Sequence, residues 1–364
     1  MDYQNIRRKT RELQIGRVTI GGAHRIAVQS MTNTDPHDAK ATRAQILALQ
    51  QVGCDIVRVT VPDMEAAETI PYIKQGVDIP VVADIHFDYR VALRCAELGI
   101  DKIRINPGNI GSEDRVRMVA DACRARHIPI RIGVNSGSLE KELLQKYGAP
   151  TPEALCESAL HHASLLEQFD FYDIAISIKS SDVSNMIAAN RLLASRCDYP
   201  IHLGVTEAGN GDSGRIKSAI GIGSLLCDGI GDTLRVSLTD DPLTEIAAAQ
   251  DIINALRIQG QSGMDIVSCP TCGRTKIDLV ALSAQFKAAA AKEGLLSMPV
   301  KVALMGCVVN GPGEAREADV GIAGGKGEGL LFRNGEIIKK LPEDELIPAL
   351  IDLLCSIRDE QAKK

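Results

Sequence analysis

The sequence predicts a TIM (β/α)8 barrel followed by a smaller α+β domain, and three observations lead there. Eight strand-like runs alternate with eight helical patterns between Ile26 and Arg257, the count a barrel needs in roughly 250 residues. Most of those runs end in a polar or charged residue, as expected where a barrel gathers its chemistry at the C-terminal ends of its strands. A small polar linker, Ile258 to Gly263, then leads to a second region with its own strands, helices and cysteine pair. The predicted division is a substrate-binding barrel over 1–258 and a second domain over 264–364. A doubly wound open sheet is the alternative; the count of eight and the strand ends favour the barrel.

Leu13 to Gly22 reads as a short hairpin. Strands then begin near Ile26, Asp55, Pro80, Asp101, Ile128, Tyr172, Pro200 and Asp232. Helical patterns cover 39–52, 64–75, 89–98, 112–126, 151–168, 182–196, 216–227 and 242–257. In the second region a strand over 264–268 precedes Cys269 and Cys272, a helix covers 275–292, and a strand over 300–305 precedes Cys307. Short strands at 319–323 and 329–333 and a closing helix over 343–358 complete it.

Aromatic residues are 3% of the 364-residue chain, Trp is absent and the net charge is −6. Base-stacking platforms and a basic face are therefore missing, which argues against nucleic-acid binding. No apolar run approaches the roughly 18 residues of a membrane span, and the first residues carry no signal-peptide core. A cytoplasmic, non-membrane protein is expected. Ten cysteines in a chain this long are not a disulfide scaffold. Cys54, Cys95, Cys123, Cys156, Cys197, Cys227 and Cys355 stand singly, mostly as small apolar residues.

The strand ends supply Gln29 and Ser30; Arg58; Asp84 and His86; Arg104 and Asn106; Arg131 and Asn135; Lys179; Glu207; and Arg235 and Ser237. One arginine there is ordinarily an ion-pair partner. Five cations from five strands repel one another unless an anion sits among them, and Asp84 with Glu207 supplies only part of that charge. The natural complement is a polyanion such as a diphosphate, gripped by bidentate arginine contacts. Gly209 to Gly214 forms a G-x-G-x-x-G string, but in the seventh of eight units it reads as a barrel phosphate loop rather than a dinucleotide fingerprint. Gly321 to Gly329 lacks the Ser or Thr of a P-loop after Lys326 and reads as a turn.

In the second region, Cys269 and Cys272 open a Gly/Pro-rich turn after one strand, and Cys307 opens another after the next, seven residues before Glu314. Thiolates on tight turns converge on one metal centre because exposed backbone N–H groups stabilise their charge. Three thiolates suit an iron–sulfur cluster with one iron left for another ligand, and they also suit zinc with a fourth ligand. A thioredoxin-like redox pair ranks lower, because Cys307 lies in a second turn of the same type. Cys355 shares an apolar helix face with Ile351 and Leu354 and is excluded as a ligand.

Across these residues the chain resembles the bacterial 4-hydroxy-3-methylbut-2-enyl diphosphate synthase family of the non-mevalonate isoprenoid pathway. The matching segments are AVQSMTNTD (27–35), ADIHFDYR (83–90), IRINPGNIG (103–111), IPIRIGVNSGSLE (128–140), LGVTEAG (203–209), GIGDTLRVSL (229–238), CPTCGR (269–274) and the highly specific GCVVNGPGEA (306–315). The resemblance spans nearly the whole chain and matches the compact two-domain bacterial form. It implies a 4Fe-4S cluster held by Cys269, Cys272, Cys307 and Glu314. A carboxylate is a poor partner for soft iron–sulfur and can leave, opening one iron to substrate oxygen. The plain alternative for Glu314 is an acid at a helix N-terminus.

The implied reaction is the two-electron reductive ring opening of a cyclic diphosphate, 2-C-methyl-D-erythritol 2,4-cyclodiphosphate, with loss of a hydroxyl as water. Flavodoxin or ferredoxin supplies the electrons. For such chemistry Glu207 is the expected proton donor, and Asp84 and His86 orient substrate hydroxyls or shuttle protons. Arg58, Arg104, Arg131, Lys179 and Arg235 hold the diphosphate, Asn106, Asn135 and Ser237 add strand-end contacts, and Asn310 touches substrate from the cluster turn. His86 alone equally suits a structural, hydrogen-bonded histidine. From Met264 onward 13 Lys and Arg stand against 14 Asp and Glu, so no basic dock for an acidic electron donor stands out. A zinc-dependent barrel transferase and a pterin-binding barrel with a non-catalytic metal domain are the competing classes.

Assembly follows from lengths. The last barrel helix, about sixteen residues or roughly 24 Å, returns the chain to the face opposite the strand ends. The linker from Ile258 to Gly263 spans at most about 20 Å. A cluster domain does not easily reach the mouth of its own barrel, so a head-to-tail homodimer is expected.

Overall fold

The computed structural model describes residues 6–258, 263–307 and 317–361. Asn310 and Glu314, two residues expected in the site, lie outside the described residues. The chain divides into two units, Met1–Ile258 and Gln259–Lys364.

Two short antiparallel strands, β1 (Leu13–Ile15) and β2 (Val18–Ile20), precede eight parallel strands in the first unit. These are β3 (Ala27–Met31), β4 (Ile56–Thr60), β5 (Val81–Asp84), β6 (Lys102–Ile105), β7 (Ile130–Asn135), β8 (Ile174–Lys179), β9 (His202–Leu203) and β10 (Thr233–Leu234). They hydrogen-bond in the order β8-β7-β6-β5-β4-β3-β10-β9. A parallel bridge from Ile176 to Ile201 joins β8 to the residue before β9 and closes the ring. The outward faces of these strands are Val and Ile under a shell of helices, and they form one continuous core. β9 and β10 are only two residues long, where longer runs are expected from sequence. Their ladder stops where Gly204 lets the Arg235 carbonyl and Lys179 Nζ approach; a Cβ on Gly204 would stand 2.8 and 3.0 Å from them.

Side-chain caps start most barrel helices. Asp38, Asp63, Asp182 and Asp241 each accept a backbone N–H from the first turn, satisfying donors that have no partner within the helix. Pro152 and Pro242 occupy first-turn positions where their missing N–H costs nothing. The helical run expected over 64–75 is broken into Met64–Glu68 and Ile70–Ile73. Pro71 lacks the N–H that would continue the first segment. The helix expected to begin at Ile216 begins at Gly211 instead, behind Asn210. The glycine string is thus largely the first turn of a helix, and Gly214 is required there because a Cβ would meet Leu238 Cδ2 and the Gly209 carbonyl, each at 2.8 Å.

The hairpin has a function in packing. Leu13, Ile15 and Ile20 form a separate apolar cluster with Ala27, Ile56, Val82 and Ala175. The barrel residues in that cluster begin their strands, so the hairpin plugs the N-terminal end of the barrel.

The second unit is a mixed five-stranded sheet, β11 (Asp265–Ser268), β12 (Lys301–Met305), β13 (Val320–Gly324), β14 (Glu328–Arg333) and β15 (Glu336–Pro342), in that order. The first three strands are parallel and the last two antiparallel. Helices Leu279–Lys292 and Leu346–Gln361 share an apolar core with the sheet, and Cys355 packs against it half-buried. Among the described residues no helix is long and apolar enough to cross a membrane.

Candidate active site

The C-terminal ends of the barrel strands enclose a recess of about 180 Å³. Arg58, Asp84, Arg104, Arg131, Lys179 and Arg235 all line it, with His86, Asn135, Ser177, Thr206 and Ser237. Asp84 is the hub. Its carboxylate receives Arg104 Nη1 at 3.1 Å on one oxygen and faces Arg58 Nε at 3.5 Å on the other. Burial pushes this carboxyl up, but Arg58, Arg104, Arg131 and His86 outweigh it and hold it below its usual range. Arg104 also donates to the Gly133 carbonyl at 2.9 Å, and a Cβ on Gly133 would lie 2.4 Å from Arg104 Nε, so only glycine leaves the guanidinium its place.

Arg235 makes a bidentate pair with Glu245, both contacts at 3.1 Å. Glu245 is fixed in turn by Ser30 Oγ at 3.0 Å and the Leu238 N–H at 3.1 Å. Sequence reasoning missed Glu245; the signal was an acid in the first turn of a helix following a cationic strand end. Arg131 is 1% exposed and donates Nη1 to Ser177 Oγ at 2.9 Å, while its Nε and Nη2 are buried without a protein partner.

Five cations therefore face two carboxylates, Asp84 and Glu245. Burial lowers the Arg58 guanidinium to about 10, opposed by Asp84 and reinforced by Arg235 and Arg104. Burial, then the fields of Arg58, Arg131, Arg235 and Arg104, push the Lys179 ammonium down. Deeper in the barrel, Lys102 and His202 are fully buried and pushed down by burial and by Arg131. Lys102 Nζ, His202 Nε2 and both polar atoms of Gln29 lack partners. An interior built like this is costly to dehydrate unless an anion neutralises it.

A second recess, about 610 Å³, shares His86, Arg104 and Asn135 with the first and adds Phe87, Asn106, Asn109 and Ser138. Asn106 Oδ1 accepts the Gly133 N–H at 2.9 Å. His86 is exposed, with Nε2 3.4 Å from Arg104 Nη1. Glu207 is also exposed and is not among the residues lining either recess. It adopts φ +52°, a strained left-handed conformation for a non-glycine residue that frequently marks a functional position.

In the second unit, β11 and β12 pair in parallel with Ser268 opposite Leu304, so the Cys269 and Cys307 turns leave neighbouring strands at the same end. Cys269 and Cys307 are half-buried and Cys272 exposed. Cys269 Sγ accepts the Gly306 N–H at 3.1 Å. The backbone N–H and then the side chain of Arg274 hold the Cys272 thiol below its usual range. Among the described residues no three His, Cys, Asp or Glu side chains form a metal-holding group. The donor chemistry nonetheless suits a thiolate-bound centre: soft sulfur, backbone N–H donation and a lowered thiol.

Comparison with known proteins covers both units. The family model described as GcpE TIM-barrel domain matches residues 10–250, and that of the GcpE protein C-terminal domain matches 265–356. The chain is 56% identical over 353 residues to the 4-hydroxy-3-methylbut-2-en-1-yl diphosphate synthase (flavodoxin) of Clostridium perfringens, covering 96% of this chain and 99% of that one. It is 51% identical over 358 residues to the enzyme of the same name from Geobacillus kaustophilus, covering 98% and 95%. Among solved structures, the N-acetylneuraminic acid synthetase of Leptospira borgpetersenii superposes with a TM-score of 0.50 at 12% identity, covering 68% of this chain and 90% of that one. That likeness concerns the barrel fold alone.

Proposed function

Because the chain belongs to the GcpE family across both of its units, we propose that it converts 2-C-methyl-D-erythritol 2,4-cyclodiphosphate into 4-hydroxy-3-methylbut-2-enyl diphosphate by two-electron reduction. Flavodoxin is the proposed electron donor, after the names of the relatives, with ferredoxin the alternative. The zinc-transferase and pterin readings are not favoured by any of these relatives. The carrying observation is the recess lined by five cations, buried or nearly so, with Asp84 as the carboxylate in its lining and Glu245 paired to Arg235, where Arg131 keeps two nitrogens without protein acceptors.

In this reading Arg58, Arg104, Arg131, Lys179 and Arg235 bind the diphosphate, and Asp84 fixes the first two guanidinium groups. Ring opening frees a phosphate oxygen, so charge grows on the diphosphate as the bond breaks. Cations fixed at the recess stabilise that charge more than they stabilise the cyclic ground state. Glu207 is the proposed proton donor to the leaving hydroxyl, His86 a partner in orienting substrate, and Asn106, Asn135, Ser237 and Asn310 further contacts. Cys269, Cys272, Cys307 and Glu314 are the proposed ligands of a 4Fe-4S cluster, which when bound supplies single electrons and a Lewis-acidic iron. We place the reaction in the cytoplasm, where ten unpaired cysteines stay reduced. The same reading extends to a head-to-tail homodimer, supported by the length of the last barrel helix and the short linker after it.

Anaerobic purification with iron and sulfide assay, followed by turnover of the cyclic diphosphate with reduced flavodoxin, tests the reading. Iron and sulfide in cluster proportion, lost in Cys307→Ala but kept in Cys355→Ala, are expected. Equimolar zinc without iron would sink it. Mixing Cys307→Ala with Glu207→Gln chains should restore partial activity if sites are shared between two chains; a fully active monomer in sedimentation would refute the dimer.

A further inference from the structure

One pair of titratable side chains, His162 buried and Glu140 half-buried, is tied to the mouth loops without lining either recess. His162, on the helix Pro152–Glu167, has a side chain only 3% exposed. Its Nε2 lies 2.7 Å from Glu140 Oε1, and its Nδ1 accepts the backbone N–H of Gly108 at 3.2 Å. An accepting Nδ1 fixes the neutral ring with its hydrogen on Nε2, which the Glu140 carboxylate then accepts. Ser158, one turn earlier on the same helix face, donates to both Glu140 oxygens at 2.9 Å. Gly108 leaves no room for a side chain, since a Cβ would stand 2.7 Å from His162 Cε1.

These contacts tie down two loops at once. Gly108 lies in the short turn Pro107–Asn109 that follows β6, and Glu140 lies just beyond the turn Ser136–Ser138 that follows β7. The same turns carry Asn109 and Ser138 into the larger recess beside the cationic one, next to Asn106 and Asn135. Without a pin, both loops would be ordered at the expense of binding energy.

We propose that Glu140 and His162, closed against Gly108, are positioning residues that latch the loops after β6 and β7, so that Asn106, Asn109, Asn135 and Ser138 present fixed polar groups to the hydroxylated carbon skeleton of the substrate. This rests on the reading that the neighbouring cationic recess takes the diphosphate. The latch itself does not touch substrate. It lowers the ordering cost of the skeleton's subsite, an effect on substrate affinity more than on the chemical step.

His162→Phe keeps the bulk of the ring and removes both hydrogen bonds. In reconstituted holoenzyme the expected result is a KM for the cyclic diphosphate raised about tenfold with kcat within about threefold. Inorganic pyrophosphate, which needs only the cationic recess, should bind within about twofold of wild type by calorimetry. The Gly108 amide should exchange with deuterium at least about tenfold faster. Gly108→Ala should raise KM in the same way, and combining it with His162→Phe should raise KM little beyond either change alone, since both open the same latch. Where His162→Phe does not fold, Glu140→Gln gives the same pattern in smaller size. Unchanged Gly108 exchange, kcat and KM both at wild-type values, or pyrophosphate affinity falling in step with KM would each overturn the latch. If wild-type enzyme shows no turnover, the proposed function fails, while exchange and calorimetry still decide the latch.

Discussion

At the N-terminal end of the barrel, Leu13, Ile15 and Ile20 of the hairpin pack on Ala27, Ile56, Val82 and Ala175. Two to four residues further along those same strands stand Arg58, Asp84 and Lys179, at the rim of a recess with an excess of positive charge. One end of the tube is an oil plug and the other an array of cations with incomplete neutralisation. Between them Gln29, Lys102 and His202 form a polar floor in which Lys102 Nζ, His202 Nε2 and both polar atoms of Gln29 lack partners. Burial of apolar surface stabilises one end, and the other end is held in a costly arrangement that an anion relieves. Barrels generally divide stability and chemistry between their two faces; here the division is visible within single strands.

The largest effect that separates the two ends comes from removing one cation. Lys179→Met should weaken pyrophosphate binding by about 100-fold, the loss of one charged contact in a largely buried site. The melting temperature should stay level or rise, because an apolar side chain replaces a like charge among arginines. Unaltered pyrophosphate affinity in calorimetry would take Lys179 out of the binding recess.

The opposite end should respond in the opposite sense. Ile15 is fully buried in the plug, and Ile15→Ala should cost about 2–5 kcal/mol of stability while pyrophosphate affinity and KM stay at wild-type values. A parallel loss of affinity would mean that the ends are mechanically coupled and that the division drawn here is false.

Much of this arrangement was legible in the sequence, and what was not has physical causes. Alternating strand and helix periods placed the barrel, because stretches rich in Val and Ile such as 56–61 and 128–134 have few other readings. The strand-end cations were legible because arginine and lysine at an inward position break the apolar run. The break at Pro71 was available from the missing donor alone. The helix start at Gly211 was not, since glycines argue for a loop and the close approach to Leu238 that requires Gly214 is tertiary. β15 was missed because all but one of its residues are exposed and it shows no alternation. Gln29, Lys102 and His202 were unreadable as an inner floor, because only the register of the closed barrel sets them beneath the recess. Glu140, His162 and Gly108 lie far apart in sequence, and nothing local joins them.

Ligand can stand in for the missing charge. Pyrophosphate at about 100 times its dissociation constant should stabilise the barrel by about 2.7 kcal/mol, or roughly 5–10 °C for a unit of this size. The shift should survive in Ile15→Ala, whose recess is intact, and shrink to about 0.4 kcal/mol in Lys179→Met, where the same concentration only equals the weakened dissociation constant. An equal shift in both variants, read by calorimetric melting, would show that the anion acts elsewhere than on the cationic end.

The smallest expected effect concerns pH, and it distinguishes the latch from the plug. Burial pushes the Glu140 carboxyl up, but hydrogen bonds from His162, its own backbone N–H and Ser158 outweigh burial and bring it from 4.5 down to about 2. A carboxylate lowered in the folded state contributes its full stabilisation above its unfolded value and loses it as pH falls through the folded one. Its neighbours on the outer side, Glu142, Glu157, His161 and Arg196, line a separate surface cavity with it, and the carboxylate side chain is 28% exposed, so the contribution is modest. The difference in melting temperature between wild type and Glu140→Gln should be greatest above pH 4.5 and shrink toward zero as pH approaches about 2. The cost of Ile15→Ala involves no titrating group and should stay level across the same window. A Glu140→Gln difference that is flat from pH 6 to pH 3, measured at constant ionic strength, would show that the carboxylate is not held in its charged form by His162 and Ser158.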